Sequence, residues 1–101
     1  MPIRNPKYRL VRAMVDGAPE EAGIFALWEG DELIYLGRAS PGATIRQRLE
    51  EHLERRCGEC TTLASHYSWE LSLRPEAREL ELLREFSAQF GRMPKCNAQA
   101  A

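Results

Sequence analysis

An α+β fold is predicted, a small three-stranded antiparallel sheet flanked by helices in the order β-β-α-β-α, and three observations predict it. Two short runs rich in apolar and aromatic residues, 22–28 and 32–37, are separated by a turn containing Gly30 and Asp31, the pattern of an antiparallel hairpin. Thr44 followed three residues later by Gln47 is a capping box, and a stretch of helical period follows it. A strictly alternating run, 64–73, then leads through Pro75 into a second helical stretch that ends at Gly91.

Residues 1–18 form an N-terminal extension in which Arg4, Lys7, Arg9 and Arg12 are interleaved with Tyr8, Leu10 and Val11. A short strand or helix against the core is expected there. The spaced basic residues read as a solvated face, with a phosphate-contacting arm as the alternative. In the hairpin, Ile24, Ala26 and Trp28 alternate with Phe25 and Leu27. Leu33, Tyr35 and Gly37 alternate with Ile34 and Leu36. Both faces of the sheet should therefore be covered.

Pro41-Gly42 ends the second strand, and a helix is expected from about Ile45 to Arg56. At about 100° per residue its buried stripe is Ile45, Leu49 and Leu53, with Arg48 and His52 together along the edge. Residues 57–62 read as a loop. In the third strand Tyr67, Trp69, Leu71 and Leu73 share one side, and His66, Ser68, Glu70 and Ser72 form a polar side. The last helix, Pro75 to Phe90, carries a stripe of Leu82, Leu83, Phe86 and Phe90. Glu79 falls on its centre line, whereas Glu81 and Glu85 turn away. A carboxylate aimed at an apolar face requires a cation or donor beside it. A small-residue tail, Ala98 to Ala101, closes the chain.

A chain of 101 residues suits one small domain, 1–101, in which a single core stabilises itself with little margin. No apolar run is long enough to cross a bilayer, and the N-terminus does not resemble a secretory signal, so a cytoplasmic protein is expected, with no membrane partner. Cys57, Cys60 and Cys96 cannot all pair within the chain, and reduced thiols are the simplest reading. Structural zinc on Cys57 and Cys60, completed by His52, His66 or Cys96, is the weaker alternative, since there is one such cysteine pair and no second. A redox role for that pair is weaker still, because no helix N-terminus follows it to lower a thiol pKa. The formal net charge is −1. Nucleic-acid affinity would therefore require Arg38, Arg46, Arg48, Arg55, Arg56, Arg92 and Lys95 to gather on one face, diluted by Glu50, Glu51 and Glu54.

The ordered set Gly23-Ile24-Phe25, Tyr35-Leu36-Gly37-Arg38, Arg48 with His52 one turn later, Glu79 and Asn97 resembles the GIY-YIG nuclease family. Members of that family include the incision subunit of bacterial nucleotide excision repair, some homing endonucleases and some restriction enzymes. The resemblance runs from about residue 19 to residue 97. Its departure is Phe25, where the family has Tyr, so an altered active-site network is implied.

The resemblance implies a metal-dependent endonuclease that hydrolyses DNA phosphodiester bonds, with a role in DNA repair among those open to it. Tyr35 would activate or orient the attacking water, Arg48 would contact the scissile phosphate, and Glu79 would bind Mg²⁺ or Mn²⁺. Asn97 would close the motif and His52 would assist as acid or base. Arg38, Arg46 and Lys95 are the candidate substrate-binding cations, and Gly23, Phe25 and Gly37 are motif positions. Counting back from Asn97 with the spacing of the excision-repair relatives selects Glu85 instead of Glu79, but Ala88 and Gln89 would then stand where two large apolar residues belong. Each residue also has a structural reading: Tyr35 as a core aromatic, Arg48 and Glu79 as an interhelical ion pair, Asn97 as a turn residue. The alternative function is a catalytically impaired module of the same fold that binds nucleic acid or a protein partner. A homodimer is open under either reading.

Overall fold

The computed structural model describes residue 3 and residues 6–99. Arg4 of the basic extension and the last two residues of the tail lie outside the described residues. The elements in chain order are β1 (Tyr8–Arg9), α1 (Arg12–Val15), β2 (Gly23–Glu29), β3 (Glu32–Ala39), α2 (Ile45–Leu53), a 3₁₀ turn (Cys60–Leu63), β4 (His66–Leu71), α3 (Pro75–Phe90) and α4 (Lys95–Gln99). The sheet is antiparallel in the order β1-β4-β2-β3. The expected three strands are β2, β3 and β4. The fourth is a two-residue strand from the N-terminal extension, paired through Tyr8 with Tyr67. Alternation over two residues is too short to be read from sequence.

Two apolar layers cover the sheet. Phe25, Leu27, Ile34 and Ala39 pack with Ile45 and Leu49 of α2 and with Val15 and Tyr67 on one side. Ile24, Ala26, Trp28, Leu33 and Leu36 pack with Leu82 and Phe86 of α3 on the other. Leu33 does not share a side with Tyr35 and Gly37 as simple alternation predicted. Tyr35 opposes Leu27 while Leu33 opposes Trp28, so Ile34 is the extra residue of a bulge and Leu33 is turned to the α3 side. The polar side of β4 is also covered in part: Ser68 is fully buried and accepts a hydrogen bond from the Trp28 indole N–H at 3.0 Å.

Local chemistry sets the helix ends. The Thr44 side chain accepts from Gln47 N–H, and the Gln47 side chain accepts from Thr44 N–H, closing the capping box that opens α2. The helix ends at Leu53, three residues earlier than expected. Arg55 takes a left-handed conformation (φ 62°), with Arg55 N–H donating to His52 O and Arg56 N–H to Glu51 O, a Schellman ending built without glycine. The core stripe also differs from the expected one. His52 takes the inward position with Ile45 and Leu49, and Leu53 is only partly buried. Helix α3 runs over its expected span, from Pro75 at its start to a left-handed Gly91 at its end. Within its expected stripe, Leu82 and Phe86 are buried but Phe90 is half exposed.

The cysteines depart from expectation. Cys60 and Cys96 form a disulfide with Sγ atoms 2.08 Å apart, and Cys57 is free. The chain therefore holds one bridge and one odd thiol, which a count of three allows and a reduced compartment disfavours. The bond overturns the zinc alternative, because Cys60 is no longer a ligand.

Candidate active site at the edge of the sheet

Strand β3 is an edge strand, and the cleft of interest opens along it. Because successive residues point to opposite faces, Tyr35 lies with Phe25 on the α2 side while Arg38, paired with Ile24, lies on the α3 side. At the edge the two sides meet. An open cleft of about 370 Å³ there is lined by Tyr35, Arg38, Ser40, Ala43, Arg48 and Glu79. Three elements, β3, α2 and α3, thus supply two cations, one carboxylate and one phenol to one concave surface.

Glu79 has the cation its position demanded. Arg38 Nη1 donates to Glu79 Oε1 at 2.8 Å, and Arg38 Nε donates to Ser40 Oγ at 3.2 Å. Arg48 is turned to its own helix, Nη1 donating to Glu51 Oε1 at 2.8 Å. The interhelical Arg48–Glu79 pair is therefore not formed. Arg48 Nε is buried without a hydrogen-bond partner. Tyr35 is half-buried. Burial raises the pKa of its phenol, opposed by the charge of Arg48 and reinforced by that of Glu79, so the hydroxyl keeps its proton at neutral pH.

His52 lies behind Tyr35. Its ring is buried, with centroids 5.4 Å from both Phe25 and Tyr35. Nδ1 lies 3.2 Å from Thr61 Oγ1, and Nε2 has no partner. Burial, with Arg48 as the second cause, lowers its pKa to about 4. The imidazole is therefore neutral near pH 7 and belongs to the core rather than to the rim expected for it.

Phe25 is fully buried. A Cβ added to Gly37 would stand 2.4 Å from Phe25 Cζ and 2.8 Å from Tyr35 Cε2, so only glycine leaves room for both rings. Gly23 is held as tightly, since a Cβ there would meet Glu70 O at 2.3 Å. Both motif glycines serve close packing.

The remaining candidates stand elsewhere. Asn97 grips the cleft's strand from outside: Leu36 N–H donates to Asn97 Oδ1 at 2.8 Å, and Asn97 Nδ2 donates to Leu36 O at 2.9 Å. Arg46 donates to Ala18 O and pairs with Glu20, holding the segment before β2. Lys95 pairs with Glu29 at 2.7 Å, beside a different cleft. Glu85 is exposed and does not line the site. Of the seven expected surface cations, Arg38, Arg46, Arg48, Arg56, Arg92 and Lys95 each stand within 4 Å of a carboxylate, so the expected positive face is largely neutralised. Sequence reading missed Ser40, Glu51 and Thr61. The i,i+3 spacing of Arg48 and Glu51 was the available signal for one of them.

No family matches this chain by sequence, and no curated protein does. Solved structures do match it in three dimensions. The GIY-YIG N-terminal endonuclease domain of UvrC from Thermotoga maritima, bound to magnesium, superposes with a TM-score of 0.59 at 21% identity, covering 83% of this chain and 91% of that one. The fold is that of the GIY-YIG domain. Two point mutants of the same domain, each holding its divalent cation, superpose equally well over 83% of this chain and 90% of theirs. One carries Phe for Tyr (22% identity) and the other Ala for Asn (21%). In the GIY-YIG fold of this chain, the first triplet contributes packing to the site and the second contributes its phenol.

The cleft holds one carboxylate that a hard cation could use. Glu79 has one oxygen on Arg38 and faces open space, and among the described residues no group of three or more His, Cys, Asp or Glu stands together. A lone carboxylate fits an ion that keeps most of its water, as Mg²⁺ and Mn²⁺ do, and does not fit zinc. Among the described residues no helix is long and apolar enough to cross a membrane.

Proposed function

We propose that this chain is a metal-dependent endonuclease acting on DNA phosphodiester bonds. The observation that carries the reading is the convergence of Tyr35, Arg38, Arg48 and Glu79 on one cleft. Glu79 would hold Mg²⁺ or Mn²⁺, which when bound would neutralise charge developing on the phosphate and on the leaving oxygen. Arg48, which lines the cleft with its guanidinium held by Glu51, would donate to a non-bridging phosphate oxygen, where such preorganised donors are most effective. Tyr35 holds the water in line with the phosphorus through its protonated hydroxyl. The phenol does not serve as phenolate base from its resting state, since its pKa is raised. Attack of that water breaks the P–O bond to the leaving oxygen and yields a phosphomonoester and a hydroxyl, the proton lost by the water passing to solvent and the leaving oxygen taking one from solvent. Three Tyr-to-Phe variants of the neighbouring UvrC domain hold the divalent cation, so loss of one phenolic hydroxyl in this fold is compatible with metal binding. Phe25 is accordingly no bar to a loaded site. A place in DNA repair and a cytoplasmic location belong to the same reading, the latter being a compartment whose reductants act against the Cys60–Cys96 bridge.

Supercoiled plasmid and branched DNA tested with Mg²⁺ or Mn²⁺ against EDTA decide it. Metal-dependent nicking lost in Glu79→Ala and Arg48→Ala is expected. A second reading, an impaired module that binds nucleic acid or a protein, is favoured by the missing hydroxyl at Phe25 and by the paired cations. It would be adopted if folded protein never nicks and its DNA binding is unchanged by Glu79→Ala.

A further inference from the structure

The residue that grips the strand of Tyr35 from outside and the residue that holds the ring behind Tyr35 are each adjacent to one half of the disulfide. Asn97 follows Cys96, and Thr61 follows Cys60. Asn97 fixes Leu36, the residue after Tyr35, through two hydrogen bonds of 2.8 and 2.9 Å. Thr61 fixes Nδ1 of the buried His52, whose ring lies 5.4 Å from that of Tyr35. Both contacts come from short elements: α4 has five residues and the 3₁₀ turn has four. Neither element is long enough to be stable without tertiary support.

We propose that the Cys60–Cys96 disulfide is a brace for Tyr35, and that its reduction releases Asn97 and Thr61 together and lowers activity at the cleft. Asn97 and Thr61 are thereby positioning residues, acting through Leu36 and His52. The activity half of the proposal rests on the nuclease reading above; the brace itself does not. The bridge joins residues 36 apart in sequence, so it also restricts the unfolded chain, and its loss lowers the stability of the whole domain while β4 and α3 stay packed.

The chemistry is a two-electron exchange. One thiolate of a dithiol reductant attacks Cys60 Sγ, the Cys60–Cys96 bond breaks, and Cys96 leaves as thiolate and takes a proton. The second thiol of the reductant then closes its own disulfide and leaves Cys60 as a thiol. Cys60 is the exposed side of the bond, since it lines an open cleft of about 880 Å³ whereas Cys96 is buried. Cys57, three residues away, has its thiol pKa raised, chiefly by burial, and is a poor internal attacker at neutral pH.

Amide hydrogen exchange and DNA nicking, measured on the full chain oxidised and after dithiothreitol, test the proposal. Leu36 N–H is expected to exchange at least tenfold faster after reduction, with amides of the β2–β4 ladder changed much less and nicking falling at least fivefold. The double variant Cys60→Ser/Cys96→Ser should match the reduced protein and ignore dithiothreitol. Cys57→Ser should respond as the parent does. Three free thiols by mass in oxidised protein would overturn the proposal. So would unchanged exchange at Leu36, an equal rise at every amide, or equal nicking in both states. A response at Leu36 in a protein that never nicks in either state would remove the nuclease reading and the activity half with it, while the brace would stand.

Discussion

Arg38 and Glu79 meet at 2.8 Å across the open edge of the sheet, one from β3 and one from α3, and each is only partly exposed. The pair has two consequences of opposite sign. Arg38 keeps the carboxylate in place, yet its charge repels any cation that binds there. Arg38→Ala is therefore expected to bind Mn²⁺ several-fold more tightly, read directly by electron paramagnetic resonance of free Mn²⁺, while nicking falls. Weaker Mn²⁺ binding in that variant would mean that orientation of the carboxylate outweighs repulsion.

The buried imidazole makes a statement about pH. His52 has a folded-state pKa of about 4, below its unfolded value of 6.5, so the unfolded chain binds the extra proton. Its stabilising contribution is complete above about pH 6.5 and is lost as the pH falls towards 4. The shift corresponds to on the order of 3 kcal/mol across that window. Urea midpoints should fall between pH 6.5 and 4.5 in the parent, and much less in His52→Gln. Parallel curves for the two proteins would place the titrating group elsewhere.

Gly37→Ala forces a methyl group against Phe25 and Tyr35 at less than van der Waals distance. Overpacking of this kind costs about 1–3 kcal/mol, measured as a shift in urea midpoint at constant slope. Phe25→Leu in the same chain should recover part of that loss. Simple additivity of the two substitutions would show that the rings do not compete for the space over Gly37.

Phe25→Tyr places a hydroxyl in the layer that holds the unpartnered Nε2 of His52. Nicking is expected to rise several-fold, with little loss of stability if the hydroxyl finds a partner and a loss of about 1–3 kcal/mol if it is left unsatisfied. A larger loss without any gain in rate would show that the pocket is closed to a phenol.

The carboxylates beside Arg38, Arg46, Arg48, Arg56, Arg92 and Lys95 leave few cations to displace counterions. For duplex binding by Glu79→Ala protein, the slope of log K against log salt is expected to be about −2 or shallower. A slope near −5 would require those pairs to open on DNA.

What the sequence revealed follows from where its signals are local. The hairpin, the capping box at Thr44 and Gln47, and the full span of α3 rest on period and on cap residues within a few positions of each other, and all three appear in the structure. The inward turn of Glu79 and its need for a cation were also legible, because burial of a carboxylate fixes what must stand beside it. Contacts between residues distant in the chain were not. Nothing in period or spacing announces that Ile34 bulges, that Arg55 ends α2 in place of glycine, or that Cys96 reaches Cys60. His52 was misplaced because residues 52 and 53 both border the apolar stripe, and which of them faces the core is decided by how α2 sits on the sheet, not by its period.

The grip of Asn97 on Leu36 bears on how copies of this protein would meet. A primary amide offers one N–H and one C=O in the same plane as a peptide group, so at Leu36 the side chain stands where the next strand of a sheet would be. An outer strand ordinarily presents a continuous row of such groups on which another chain can extend the sheet. Here the row is interrupted at its middle by a short helix too bulky to be a strand. Extension of the sheet by strand pairing is therefore blocked at Leu36, on the side where the cleft opens.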